Sequence, residues 1–186
     1  MLDLCCGKKG ASKAMSDRGW SVITLDNDQS FSPDILADIR TWVYQGERPD
    51  LLWASPPCNE FSREFMVWSR TGTAPDLSIY WAIKRIIFQV QPRFWILENT
   101  RGAVPYFGKP SWVIYPYYFW GFFPKLINFR FTNRRNKESF SSHDKAERAA
   151  IPYDMSLAFA ISIERAITFS DVKMYDEIKG GKSGQA

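Results

Sequence analysis

Short apolar runs recur along the first hundred residues, and each ends on a polar or glycine-bearing segment: Leu2-Asp3-Leu4, Val22-Ile23-Thr24-Leu25, Leu51-Leu52-Trp53-Ala54 and Phe94-Trp95-Ile96-Leu97. Runs of this length, rich in aromatic and branched residues, predict strands at about 2–5, 22–25, 51–54 and 94–97. Helix-compatible stretches lie between them. The clearest predicted helix runs from Asp76, an N-cap after Pro75, through Gln91; Ile79, Ile83, Ile86, Ile87 and Val90 recur at helical spacing and Pro92 stops it. Alternation of this kind predicts an α/β fold, a mostly parallel sheet with helices on both faces.

The first hundred residues therefore place several strand ends on one sheet edge, where open α/β sheets keep their ligands. Asp3-Leu4-Cys5-Cys6-Gly7-Lys8-Lys9-Gly10 follows the first strand, and its glycines allow backbone to approach a ligand closely. About 20 residues on, the second strand delivers Asp26 and Asn27, the place from which an acidic group reaches ribose hydroxyls. Taken singly this pattern is weak, because Gly7 and Gly10 lack the third glycine of the dinucleotide fingerprint. Gly181-Lys182-Ser183 is not a phosphate loop, since no glycine stands five residues before Gly181.

The third strand exits into Ser55-Pro56-Pro57-Cys58-Asn59-Glu60-Phe61-Ser62. Two prolines fix the backbone and present the thiol in one pose. A lone cysteine is more often a small buried hydrophobe. The fourth strand runs into Glu98-Asn99-Thr100-Arg101-Gly102, and Glu98 could serve as a helix-terminal carboxylate or as a partner for Arg101. A thiol and a carboxyl delivered to the same edge nevertheless suggest a nucleophile paired with a proton donor or acceptor.

These residues together resemble the 5-cytosine DNA methyltransferase family, in its compact phage-type form. Asp3 to Gly7 with Gly10 and Ser12 resembles the family's first cofactor motif, Asp26 its ribose-binding acid, and Asp38-Ile39 the pair beside adenine. Pro57-Cys58 with Phe61-Ser62 resembles the nucleophile motif and Glu98-Asn99 the glutamate motif. Ile151-Pro152-Tyr153-Asp154-Met155-Ser156 and the apolar helix to Ile167 resemble the last motif, which returns to the cofactor pocket. The likeness covers residues 1 to about 168, in order.

What the resemblance implies is a Rossmann-like methyltransferase fold that uses S-adenosyl-L-methionine to methylate carbon 5 of cytosine in DNA. The implied catalytic pair is Cys58 and Glu98. Asp3, Cys5, Gly7, Gly10, Asp26, Asn27, Asp38, Ile39, Pro56 and Ser156 are expected around the cofactor. Asn59, Ser62, Arg63 and Arg101 are expected against nucleic acid, duplex or single-stranded. Arg134 and Arg135, in a segment interleaving aromatics with cations (115–137), are expected on phosphates, while its aromatics fit base stacking and core equally well. Residues 62–73 are expected to form the loop that closes over the substrate base.

Three departures qualify the match. Lys8 and Lys9 stand where the family has small or apolar residues, and could favour the cofactor's carboxylate or an altered anionic cofactor. The base-holding glutamine-arginine-arginine motif is not visible in 109–121. Only 122–143 stands where the family carries a large target-recognition domain, so specificity is expected to be low or supplied by a separate subunit. The first strand also begins almost at Met1, without the usual lead-in, which fits a minimal chain or a trimmed one. Methylation of RNA cytosine and a non-catalytic cofactor-binding subunit are the competing readings.

Bulk properties fit this frame. A chain of 186 residues with 45% hydrophobic content is expected to make one catalytic domain over 1–175, with 176–186 a disordered tail. Net charge +4 suits a polyanionic partner, though such an excess is common elsewhere. Three cysteines, two adjacent, make no disulfide framework, and the single His143 removes the usual zinc constellations, so no metal is expected. A reducing cytoplasm is the expected location, the host's if the chain is virus-encoded. The richest apolar stretch carries Lys84 and Arg85, so no membrane association is expected.

Overall fold

The computed structural model describes residues 1–63, 72–126 and 149–180, with side chains of the last helix described through Phe169. Seven strands form one sheet: β1 (Leu2–Leu4), β2 (Ile23–Asp26), β3 (Ile35–Leu36), β4 (Leu51–Ala54), β5 (Phe94–Asn99), β6 (Trp112–Ile114) and β7 (Tyr117–Phe122), in the order β3-β2-β1-β4-β5-β7-β6. The first five run parallel, and β7 pairs antiparallel with both β5 and β6. The strand order reverses beside β1, between β1 and β4, so their carboxyl ends open a crevice at the switch point. The hairpin between β6 and β7 turns through Tyr115-Pro116, whose peptide bond is cis.

The parallel strands read as apolar runs because both of their faces are covered. Every residue of β1 and β4 is buried. On one face Leu2, Leu4, Leu52, Ala54 and Leu97 meet Phe61 of α2 (Asn59–Ser62) and Ala82, Ile83 and Ile86 of α3 (Ser78–Val90). On the other, Leu51, Trp53, Ile96 and Phe119 meet Met15 of α1 (Lys13–Asp17) and Met155, Phe159 and Ile163 of the last helix. A short helix, α4 (Val104–Phe107), follows β5, and the last helix, α5, spans Tyr153–Gly180. Trp53 is wholly buried, edge-on to Phe159 at 4.9 Å and to Phe119 at 6.1 Å.

Three expectations need adjusting. The helix predicted from Asp76 starts two residues later: Asp76 instead makes a turn, its carboxylate accepting from the Ser78 amide and hydroxyl, and the helix stops at Val90 with Gln91 left-handed. The apolar helix expected to end at Ile167 continues to Gly180, five residues into the expected disordered tail, because no proline or glycine interrupts it earlier. Of the aromatics in 115–137, Phe119 and Trp120 are buried strand residues and hence core, not base-stacking platforms.

The chain ends of the fold are tied across the sheet's second face. Arg18 donates to Glu164 through Nε at 2.8 Å and Nη2 at 2.5 Å, and Trp20 Nε1 donates to the same carboxylate at 2.9 Å. This fastens α5 onto the turn after α1.

Candidate active site at the sheet's carboxyl edge

The loop after β1 is held in a strained shape by hydrogen bonds to its backbone. Cys5, Gly7 and Lys9 have φ of 55°, 47° and 58°. Left-handed backbone at a residue other than glycine costs about 1 kcal/mol or more, and such strain gathers at ligand sites. The loop is fixed by the Cys6 amide donating to Leu25 O, the Lys9 amide to Cys6 O, and the Gly7 amide to Asp26 Oδ2 at 2.9 Å. Gly10 has a different reason to be glycine. A Cβ there would lie 2.6 Å from Ile151 O and 2.8 Å from its amide nitrogen, so the segment leading into α5 presses directly on the loop.

A cavity of about 380 Å³ opens over this loop. Such a volume lies in the range of small-molecule and cofactor pockets. Of the residues expected around a cofactor, Asp3, Cys5, Gly7, Gly10, Asp26, Asn27, Asp38 and Ile39 all line it, as do Cys58 and Asn59. Its wall is acidic: Asp3, Asp26, Asp28 and Asp38 face Lys8 and Arg40. Lys9 is turned away, its Nζ donating to Ser32 O at 2.6 Å, so of the two adjacent lysines Lys8 lines the cavity.

The acids are held in place by different means. Asp26 accepts the Gly7 amide on Oδ2 and the Asp28 amide on Oδ1. Asp38 is clasped by Arg40, whose Nη2 lies 2.6 Å from Oδ2 and whose Nε reaches both oxygens. Asp3 is wholly buried; Ser12 donates to Oδ2 at 2.6 Å, while Oδ1 has no partner. Burial pushes the Asp3 carboxyl up to about 7, the Ser12 bond opposing and Asp26 adding to the rise. A buried oxygen without a donor, in a cavity with an excess of carboxylates, fits a cationic ligand. S-adenosylmethionine, which carries a sulfonium and an ammonium, satisfies that donor set.

Two expected cofactor residues do not line the cavity. Pro56 is buried, and its carbonyl accepts from Asn99 Nδ2 at 3.0 Å; Ser55 and Pro57 line the wall instead. Ser156 is fully buried below the loop, donating to Ala11 O at 2.6 Å and accepting the Ala14 amide at 3.4 Å. It supports α1 from behind. Ile151 of the last motif reaches the cavity in its place with Ala149 and Ala150, along with Phe31, Arg40 and Ile79. The spacing of Ile79 predicts core, and Phe31, Arg40, Ala149 and Ala150 are not singled out by the sequence.

Cys58 stands at the N-cap of α2, half-buried, on the cavity wall. Its carbonyl accepts from the Ser62 hydroxyl at 2.9 Å, and the Asn99 bond to Pro56 pins the prolines before it. Burial and the neighbouring Glu98 raise the thiol, offset in part by its own amide and by Ser62. Glu98 does not line the cavity; it is buried at the end of β5, and burial pushes it up to about 8, against a hydrogen bond from Ser55. The pair therefore couples electrostatically at the edge between β4 and β5. At neutral pH the carboxyl is mostly protonated.

Among residues expected on nucleic acid, Asn59 and Arg101 are exposed near the exits of β4 and β5. Ser62 is spent on Cys58 O. Arg63 is engaged within the protein, with Nη2 donating to Thr73 O at 3.2 Å and Nη1 lying 3.4 Å from Glu60. That bond joins the two described ends of the loop expected over the base; its residues 64–71 lie outside the described residues. So do Arg134 and Arg135. Among the described residues no cluster of metal-ligating side chains is present, and no helix is long and apolar enough to cross a membrane.

The chain is similar to several known proteins. A Frog virus 3 (isolate Goorha) protein named "Probable DNA (cytosine-5)-methyltransferase" is 33% identical over 115 residues, covering 53% of this chain and 52% of the relative. The aligned part thus spans about half the length of that relative. A solved structure of a candidate DNA modification methyltransferase encoded within an E. coli prophage is 20% identical, with a TM-score of 0.42 over 55% of this chain and 32% of its own. The family profile for C-5 cytosine-specific DNA methylase matches residues 1–106, which hold the glycine loop, Asp26, Asp38, Cys58 and Glu98. The chain belongs to the C-5 cytosine-specific DNA methylase family.

Proposed function

We propose that this protein methylates carbon 5 of cytosine in DNA through a covalent adduct on Cys58, with S-adenosylmethionine held in the acidic cavity. The observation that carries the reading is the placement of a half-buried thiol and a buried carboxyl at the exits of neighbouring strands β4 and β5, beside an acidic cavity.

Asp3, Asp26, Asp38 and Ile39 would hold the cofactor, Asp3 offering its unpartnered oxygen to a positive group. The cofactor supplies a methyl group on a sulfonium, which a carbon nucleophile can take. Cytosine carbon 5 is too electron-poor to do so unaided. Cys58, as thiolate, adds to carbon 6 and pushes electron density onto carbon 5. Glu98 holds a proton against ring nitrogen 3 and neutralises the charge that develops there. Once carbon 5 carries the methyl group, a water molecule acting as base takes its proton, the carbon 5–carbon 6 double bond re-forms and the thiolate leaves. Asn99 keeps the geometry by tying Pro56, and with it the thiol, to β5.

Carbon 6 is hidden in a duplex, so the base must leave the stack at a cost of a few kcal/mol. Asn59 and Arg101 are exposed beside the site and suit contacts to the displaced strand. The span between β7 and α5 is short for a base-reading domain, so target choice is loose or comes from another subunit. DNA from cells expressing the protein should accordingly contain 5-methylcytosine in relaxed sequence contexts when read by a positional sequencing method. Unmethylated DNA alongside methylated RNA from the same cells would move the assignment to RNA.

A further inference from the structure

Glu98 has a neighbour placed to govern its proton. In the parallel register of β4 and β5, Ala54 stands opposite Leu97. One step on, Ser55 comes opposite Glu98, on the sheet face that Trp53 and Ile96 share. Trp53 cannot turn away, being wedged edge-on against Phe159 and Phe119. Its indole N–H donates to Ser55 Oγ at 3.0 Å.

An indole nitrogen only donates, and a hydroxyl has one proton to give. With Trp53 occupying one of its acceptor sites, Ser55 keeps that proton for another acceptor, and the register sets the Glu98 carboxyl beside it on the same face. Resting on the function proposed above, we propose that Ser55 is a positioning residue that decides which Glu98 oxygen carries the acid proton. The donor chain runs from Trp53 to Ser55 to one carboxyl oxygen, which becomes the acceptor. The other oxygen then holds the proton and donates it to ring nitrogen 3 of the flipped cytosine. When that proton moves to nitrogen 3, the carboxylate left behind keeps the Ser55 bond; when the product re-forms, the proton returns to the same oxygen.

Among the described residues, the titratable group coupled to Glu98 is the Cys58 thiol, and β7 presents Phe119 opposite it. The pH dependence of the carboxyl can therefore be followed through Ser55. In the Ser55→Ala variant kcat should fall by about ten-fold, the kinetic equivalent of one hydrogen bond. The limb of the kcat profile set by Glu98 should move to higher pH, because a bond favouring the carboxylate is gone. Ser55→Thr, which keeps the hydroxyl, should restore both.

Infrared difference spectra give a readout that does not need turnover. Subtracting Glu98→Gln from wild type isolates the Glu98 carboxyl band; in the Ser55→Ala background that band should move to higher wavenumber and titrate at higher pH. Alanine and threonine variants that lose activity equally with an unmoved titration would overturn the proposal, as would an alanine variant identical to wild type. A wild-type protein that transfers no methyl group while the Ser55-dependent infrared shift persists would defeat the methylation reading and leave the Ser55–Glu98 orientation standing.

Discussion

A Cys58→Ala variant should lose transfer of labelled methyl groups to DNA by at least about 10⁴-fold, the scale on which removal of a covalent nucleophile acts. Its cofactor affinity and fold should persist. The Cys58 side chain makes no cap bond for α2, and the contacts that shape the site there, Ser62 to Cys58 O and Asn99 to Pro56 O, are made to backbone. Neither of the other cysteines can take over. Burial, with Asp26 and Asp3 nearby, raises the Cys5 thiol strongly and pushes Cys6 up to about 12, so both stay protonated. Equilibrium titration of cofactor against both proteins, beside a transfer assay, checks the two halves of this expectation.

The Glu98→Gln variant should be nearly inactive and yet more stable than wild type. Loss of the acid should cost about 10²–10⁴-fold in kcat. The stability change follows from proton linkage. The unfolded carboxyl releases its proton near 4.5, whereas the folded one keeps it to about 8. From pH 4.5 upward the folded state binds more protons than the unfolded, so wild-type stability is intact at low pH and declines as pH rises through 8. A neutral glutamine escapes that loss. Its advantage should reach roughly 4–5 kcal/mol at pH 9 and nearly vanish at pH 4.5. For a chain of this size that is about 10–20 °C in Tm. Thermal melts at the two pH values decide it; a variant less stable than wild type at both would mean that Glu98 is ionised and paired.

The same two groups set the shape of the pH–rate profile. Because burial raises the Cys58 thiol above its ordinary range while Glu98 titrates near 8, the form with thiolate and protonated acid should grow up to about pH 8 and decline only beyond the thiol's own titration. Because the groups are coupled, the two limbs belong to the pair rather than to either residue.

Much of this was legible in the chain because fully covered parallel strands leave unbroken apolar runs, as Leu51 to Ala54 does. The polar segment after each run then falls at the sheet's carboxyl edge, which is how Asp26 and Glu98, directly after their runs, and Cys58, four residues on, came to notice. β3 has two residues at the sheet margin and left no such run. β7 was ambiguous for another reason: Phe119 and Trp120 are buried on opposite faces while Phe122 is exposed, so no alternation separates core from surface.

Within the site, legibility failed where a role depends on distant partners. Pro56 and Ser156 look like pocket residues in sequence, but long-range bonds to Asn99 and Ala11 turn them into supports. Gly10 reads as a ligand-approach glycine, whereas the closest atoms to its missing side chain belong to Ile151. Ser55 was visible only as the start of the strand-exit segment, since the register of β4 against β5 is what brings it beside Glu98.

The most direct test of the covalent route is a duplex carrying 5-fluorocytosine, whose fluorine cannot leave as a proton does after addition at carbon 6. Incubated with protein and S-adenosylmethionine, it should yield a denaturant-resistant complex whose peptide map places the modified residue at Cys58. No complex, or one attached at Cys5 or Cys6, would contradict the assignment.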